Sequence, residues 1–149
     1  MKLYLTSDHG GFSLKEKLKD IFQNEKIEYE DLGPKTSNPS DDSPDYIFNF
    51  SEKIASVPDL FGIACCRSGV GEAIAANKVK GIRASVSFSP EHVAKARQDD
   101  NINVLCLPAD YISLDLAYEI VETFIETPFS FAERHVRRLK KIEEYENIH

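Results

Sequence analysis

Apolar residues along the chain follow two spacings, one typical of buried strands and one typical of amphipathic helices. Five short apolar runs predict strands, and apolar residues three or four positions apart predict helices between them. In the first helical segment, Leu14 and Leu18 share an apolar face, which places three lysines, Lys15 among them, on the solvent side. The predicted strands are 2–7, 27–32, 60–66, 82–87 and 102–108. The predicted helices are 12–22, 45–56, 72–79, 89–98, 113–127 and 131–146.

The strict alternation of strands and helices determines the predicted fold class, which is α/β. Right-handed crossovers turn such a chain into a doubly wound, five-stranded parallel sheet between two layers of helices. We therefore predict a Rossmann-like three-layer α/β/α sandwich with an extra C-terminal helix. No internal repeat or linker divides the chain, so residues 1–149 are predicted to form a single domain.

Composition and charge exclude several classes of protein. The net charge of −7 argues against a general nucleic-acid binder, and no apolar run is long enough to cross a membrane. Three cysteines, two of them adjacent, match neither a disulfide framework nor a structural zinc site. We therefore expect a cytoplasmic protein with reduced thiols and with no metal ion or cofactor.

The segment 64–84 carries the first candidate site, because a predicted strand leads through a glycine-containing turn into a helix. Gly69 and Gly71 allow a ligand to approach the backbone, although a tight turn without a ligand has the same pattern. Cys66 and Glu72 flank the turn, and either is a candidate base. Arg67 and the start of the helix are expected to stabilise a Cys66 thiolate. Glu72 has the alternative role of a favourable charge in the first turn of a helix.

Polar residues elsewhere form further candidates. Asp8 and His9 follow the first strand, at the edge where a parallel sheet binds ligands. Asp99 lies at a predicted helix end and has to be brought to the site by the fold. Arg134 and Arg138 are one helical turn apart and together suit a phosphate, although a solvated helix with pairs to nearby glutamates is the alternative.

Four motifs resemble the ribose-5-phosphate isomerase B / galactose-6-phosphate isomerase family, in the right order along nearly the whole chain. The segment "SDHGGFSLKEKL" is similar to the family's opening S-D-H-A-G-F-x-L-K. The segment "CRSGVGEAIAANKVKGIRA" resembles C-G-T-G-x-G-x-x-I-A-A-N-K-x-x-G-I-R-A. The segments "ARQDDNINVL" and "RHVRRLKKI" resemble A-R-x-H-N-x-x-N-V-L and R-H-x-x-R.

The resemblance implies an aldose–ketose isomerase that acts on a phosphorylated sugar through an enediolate, without a metal ion. It also implies a homodimer or homotetramer whose site lies between two subunits. Cys66 matches the base of one branch of the family, Glu72 matches the base of another, and Ser68 matches a threonine that stabilises the enediolate. The positions that match sugar or phosphate contacts are Asp8, His9, Gly69, Gly71, Arg134 and Arg138.

The chain departs from the family pattern at several of these positions. Asp99 stands where the family has its ring-opening histidine, and Asp100 follows where asparagine is usual. A second carboxylate at Asp100 is expected to raise the pKa of one of the two aspartates. Arg67 replaces a glycine and Asp110 replaces an arginine, so the anionic group of the substrate is expected to sit differently. The missing histidine keeps open the alternative of a sugar-phosphate-binding protein without catalysis. The adjacent Cys65 and Cys66 leave a redox protein as a further alternative, although they do not form a C-x-x-C motif.

Overall fold

The computed structural model covers residues 1–149 and has the predicted α/β architecture, with five parallel strands and six helices. Most element boundaries agree with the sequence to within a few residues, but the fourth strand has only three residues because it lies at an edge of the sheet. The strands are β1 (Lys2–Ser7), β2 (Glu28–Asp31), β3 (Phe61–Cys66), β4 (Ala84–Val86) and β5 (Val104–Pro108). The helices are α1 (Phe12–Asn24), α2 (Pro44–Ala55), α3 (Val70–Ala76), α4 (Pro90–Asp100), α5 (Leu114–Glu126) and α6 (Glu133–Ile148).

The order of the strands in the sheet is β2-β1-β3-β5-β4, and every pair is parallel. The chain runs from β1 outwards to β2, crosses back to β3 on the other side of β1, continues to the edge strand β4 and returns to β5 between β3 and β4. The strand order therefore reverses between β1 and β3, and ligands of open α/β sheets bind at such a point, beyond the carboxyl ends of the strands. Asp8 follows β1 and Cys66 ends β3, so both lie at this crevice.

Two apolar clusters, one on each face of the sheet, form the predicted three layers. The larger joins the sheet to α1, α4 and α5, and the smaller joins it to α2 and α3. The side chain of Cys65 lies in the larger cluster and that of Ala64 in the smaller, as the alternation of a strand requires. Cys66 therefore lies on the same side of the sheet as α2 and α3.

Lys15 is buried, and the prediction that it faces solvent was wrong. Its ammonium group lies 2.6 Å from the Asp31 carboxylate and donates a second hydrogen bond to the Pro34 carbonyl oxygen. Burial by itself raises the pKa of Asp31, but hydrogen bonds from Lys15 and Lys19 outweigh it and lower that pKa. A helical lysine can therefore occupy an inward position, because a carboxylate on β2 compensates its charge.

Helix α6 lies at the side of the molecule, and His135 is its only buried residue. It packs on α4, and Glu146 near its end accepts a hydrogen bond from the Gly81 backbone N–H. Val136 and Ile142 on this helix remain exposed. None of the six helices combines the length and apolar character that a membrane span requires.

Candidate active site

Two glycines shape the region around the loop between β3 and α3, one through its backbone conformation and one through a close backbone contact. Gly69 caps α3 with a φ of 77°, a left-handed conformation that side chains with a Cβ rarely adopt. Gly11, at the start of α1, lies so close to the end of β3 that a Cβ there would be 1.9 Å from the Cys65 carbonyl oxygen. The polar turn after β1 and the glycine loop after β3 are therefore packed together at the switch point.

Cys66 and Glu72 form a buried pair that flanks this loop. Cys66 is the last residue of β3, and its Sγ accepts a hydrogen bond from the Gly69 N–H at 3.0 Å. Glu72 is only 1% exposed, and the neighbouring Cys66 thiol and Asp8 backbone N–H both influence the pKa of its carboxyl. One of its oxygens, Oε2, has no hydrogen-bond partner in the chain. A buried carboxyl with a free oxygen next to a thiol can accept and return a proton.

The charge states of this pair differ from the sequence-based expectation. Burial, followed by the charge of Glu72, raises the pKa of Cys66 to about 11, although the backbone N–H groups of Glu72 and Gly69 oppose this rise. Burial and the charge of Asp8 raise the pKa of Glu72 well above its usual range. The expectation of a thiolate stabilised by Arg67 was therefore wrong, because desolvation and a neighbouring acid outweigh the backbone donors.

Replacing Glu72 with glutamine is expected to stabilise the protein at neutral pH. The folded protein keeps a proton on Glu72 that the unfolded chain releases above its ordinary pKa of 4.5, so stability falls as the pH rises from there towards the folded pKa. Glutamine does not titrate and removes this loss, which amounts to about 1.4 kcal/mol for each pH unit between the pKa of the unfolded chain and that of the folded protein. Thermal unfolding checks this: Glu72→Gln melts with the wild type near pH ~4 and above it near pH ~8. An equal difference at both pH values contradicts the prediction.

His9 is held by Asp41, a residue that the sequence did not single out. The Asp41 carboxylate oxygen Oδ1 lies 2.6 Å from His9 Nδ1 and accepts a 3.2 Å hydrogen bond from the His9 backbone N–H. Asp41 lies in the loop rich in Ser, Pro and Asp before α2, where composition does not distinguish it from the adjacent Asp42. Only the folded chain brings it to the turn after β1.

Arg67 and Asp110, two departures from the family pattern, lie next to each other. The Arg67 guanidinium is 3.5 Å from the Asp110 carboxylate, and both side chains are exposed. Arg67 also packs against Gly10, where a Cβ would lie 2.5 Å from the Arg67 Cγ. Arg67 therefore lies between Asp110 and the turn after β1. Ser68 is half-buried in the glycine loop, and its Oγ accepts a hydrogen bond from the Val70 N–H.

Asp99, Arg134 and Arg138 lie away from the Cys66 loop. Because α4 runs antiparallel to the strands, Asp99 and Asp100 are near the start of β5, whereas Cys66 pairs with Pro108 at its end. The start and the end of β5 are about 13 Å apart, at 3.3 Å per residue, so Asp99 and Cys66 lie at opposite ends of this strand. Arg134 begins α6 on the Asp99 side. One chain therefore does not bring together all the predicted site residues.

The surroundings of Asp99 keep it ionised. Lys95 lies 3.2 Å from one carboxylate oxygen, and the buried His135 lies 3.6 Å from the other. The hydrogen bond and charge of Lys95, with smaller contributions from His135 and Arg134, lower the pKa of Asp99. A second carboxylate at Asp100 was expected to raise the pKa of one of the two aspartates, and for Asp99 the opposite is found. No ion pair joins Arg134 or Arg138 to a glutamate, so both guanidinium groups remain available.

A family model described as Ribose/Galactose Isomerase matches residues 3–142 of the chain. The chain belongs to this family. Ribose-5-phosphate isomerase B of Mycobacterium tuberculosis is 34% identical over 149 residues, which cover 100% of this chain and 92% of that protein. The similarity to this family thus extends over nearly the whole chain.

Solved structures of this family have the same fold. The ribose-5-phosphate isomerase B of Mycoplasma genitalium with bound ribulose 5-phosphate superposes with a TM-score of 0.92 at 37% identity, covering 98% of this chain and 96% of that one. The Thermotoga maritima enzyme has a TM-score of 0.90 at 43% identity, covering 96% and 97%. The predicted fold class and the prediction of an aldose–ketose sugar-phosphate isomerase are confirmed.

Proposed function

We propose that this isomerase interconverts ribose 5-phosphate and ribulose 5-phosphate, or a closely related pentose or hexose phosphate, through an enediolate. The observation that carries the proposal is the buried Cys66–Glu72 pair at the glycine loop, at the switch point of the sheet. The bound ribulose 5-phosphate of the Mycoplasma genitalium relative supports this choice of substrate. The proposed steps use side chains and backbone N–H groups and call for no metal ion.

In the proposed isomerisation, Cys66 and Glu72 act together as the base. Once the pair has lost one proton to solvent, the thiol proton moves to the free oxygen of the Glu72 carboxylate. This transfer removes the charge that opposes a thiolate, and two backbone N–H groups then stabilise the sulfur. The thiolate takes the proton from C2 of the aldose, the hydroxyl proton of the enediolate moves from O2 to O1, and the thiol gives its proton to C1, which gives the ketose. The Ser68 hydroxyl and the N–H groups of the loop stabilise the enediolate oxygen.

Asp99 is proposed to open the sugar ring as a proton shuttle. Its carboxylate accepts the proton of the anomeric hydroxyl while the bond between C1 and the ring oxygen breaks. It then gives the same proton to the ring oxygen, which has become an alkoxide. The low pKa of Asp99 keeps it in the carboxylate form that the first half requires, and the resulting carboxylic acid donates readily to the alkoxide in the second half. Asp99 can therefore act in place of the family histidine.

A second copy of the chain is proposed to complete each site, in a homodimer or a homotetramer. The separation of Asp99 and the two arginines from the Cys66 loop supports this, because their roles require contact with one substrate molecule. Exposed apolar side chains on α3 and α6, such as Ile74 at 58% and Ile142 at 51%, support it further. Arg134 and Arg138 of one subunit would then bind the phosphate in the site of the other, with Asp8, His9 and Asp100 contacting the sugar phosphate. We also propose a cytoplasmic location, which suits three buried, unpaired cysteines.

The proposal is tested by offering the purified protein a panel of five- and six-carbon aldose phosphates in deuterated water. We expect turnover of ribose 5-phosphate with exchange of the C2 proton for solvent deuterium. Binding without exchange on every sugar of the panel would instead support a sugar-phosphate-binding protein, which the missing ring-opening histidine favours. Activity that is unchanged in Cys65→Ser counts against a redox role for the adjacent cysteines, since Cys65 lies in the core.

Replacing Asp99 with asparagine is expected to affect one direction of the reaction more than the other. Ribulose 5-phosphate cannot form a furanose, because the oxygen that would close the ring carries the phosphate. We expect turnover of ribose 5-phosphate to fall by about 10²-fold, while exchange of the C1 proton of ribulose 5-phosphate with deuterium stays within about threefold. Asp99→His, which introduces the family residue, is the control and should retain turnover. An equal loss of both reactions in Asp99→Asn contradicts the ring-opening role.

A further inference from the structure

Asp41 contacts His9, which lies 32 positions earlier in the chain, and holds it at both the backbone and the ring. A single oxygen of Asp41 is bonded to the His9 backbone N–H and to the ring Nδ1, so both the main chain and the imidazole are held. The Asp41 side chain is 3% exposed, whereas that of His9 is 28% exposed. The Nε2 atom of His9 makes no hydrogen bond within the chain. The ring therefore has one occupied nitrogen and one that is free for a ligand.

The surroundings of Asp41 make its burial costly unless the carboxylate has a function. Asp8 and Glu72 are close, and the negative charge of Asp41 is among the causes that raise the pKa of Glu72. Its second oxygen, Oδ2, is buried without a hydrogen-bond partner. A buried carboxylate normally needs a full set of donors or a positive partner, and His9 provides both hydrogen bonds that Asp41 receives. A neutral serine would suffice to anchor the loop through the His9 N–H alone.

We infer that Asp41 is a positioning residue for His9, which holds the proton on Nδ1 and presents Nε2 to the phosphorylated sugar. This inference rests on the proposed function and adds to it a residue in the loop before α2. A carboxylate behind an imidazole selects its tautomer and its orientation, and the loss of such a partner typically lowers activity or affinity by 10–100-fold. Ser43, two residues later, lies near Gly71, so the same loop borders the glycine loop.

The adjacent Asp42 provides a matched control. It has the same charge and lies in the same loop, but it is exposed, and only its backbone carbonyl is used, by the Asp45 N–H. With ribose 5-phosphate as the probe and the full chain, we expect Asp41→Ala to lower kcat/KM by about 30-fold, chiefly through KM. Asp41→Asn keeps an acceptor oxygen and should lose less, about fivefold. Asp42→Ala should stay within about twofold, as surface changes usually do.

A double-mutant cycle separates positioning from a merely structural role. If Asp41 acts through His9, adding Asp41→Ala to His9→Asn costs less than about threefold in kcat/KM. A further 30-fold loss in that background overturns the inference, and so does an Asp41→Ala protein within about threefold of the wild type. These outcomes can be read only if the wild type is active. A second measurement that does not depend on turnover is therefore needed.

Nitrogen NMR of the imidazole rings reads the tautomer directly. We expect His9 of the wild type to carry a proton on Nδ1, and Asp41→Asn to release this preference, because an amide interacts more weakly with the ring than a carboxylate does. A bare Nδ1 in the wild type overturns the inference whether or not the protein turns over ribose 5-phosphate. Conversely, a protonated Nδ1 in a protein without turnover supports the Asp41–His9 contact while the proposed function fails. The NMR comparison also decides the question if Asp41→Ala does not fold.

Discussion

Replacing Cys66 with alanine is expected to lower kcat for ribose 5-phosphate by about 10³-fold, within the range for removal of a general base. Alanine leaves no group at the end of β3 that can take the C2 proton, while the glycine loop and the phosphate contacts remain. Glu72→Gln is expected to lose about 10²-fold, because the amide cannot store the thiol proton. The double variant should be no worse than Cys66→Ala alone, since the two groups act as a unit. Steady-state rates and C2 proton exchange in all three variants provide the measurement.

The core cysteine Cys65 is the matched control for this comparison. It precedes Cys66 in β3 but points into the opposite apolar cluster, so Cys65→Ala should stay within about threefold in kcat. If Glu72→Gln loses at least about 10²-fold more activity than Cys66→Ala, Glu72 is the base and the assignment to Cys66 is wrong. Losses that simply multiply in the double variant contradict the proposal that the pair shares one proton.

Mixing two inactive variants is expected to restore about a quarter of the wild-type activity. One variant carries Cys66→Ala, and the other carries Arg134→Ala with Arg138→Ala, which removes both guanidinium groups that are proposed to bind the phosphate. If each site takes Cys66 from one subunit and the arginines from the other, a mixed dimer has one intact site and one doubly defective site. Random exchange makes about half of the dimers mixed, so one site in four works. The assay is turnover after the subunits are separated in mild denaturant and re-formed.

The same experiment distinguishes the two possible site architectures. If one chain supplies every residue of its own site, each site in a mixed dimer still has one defect and no activity returns. Each variant re-formed alone is the control, and both should stay inactive. Light scattering of the wild type gives the number of subunits, and a monomer at assay concentration contradicts the shared site.

The sequence was sufficient for the fold class because alternating apolar periods and short connections leave few topologies. It also located the glycine loop, since Gly69 and Gly71 lie between an apolar strand and a helix whose residues match the family motif. It was insufficient for Lys15, because helical spacing does not reveal that a carboxylate from β2 will meet an inward lysine. Asp41 escaped notice for a similar reason, since the loop sequence around it resembles any polar connection.

What the sequence by itself determined was the order of elements, the family and the chemical types of group available for catalysis. Only the tertiary structure decided how those groups behave. Cys66 is next to Arg67 in sequence, yet the pKa of its thiol rises because the thiol is buried and lies near the charge of Glu72. The Arg67 guanidinium lies next to Asp110 instead. Asp99 is likewise separated from Cys66 by the length of a strand. Desolvation and distance depend on contacts between remote segments, and the local sequence does not encode them.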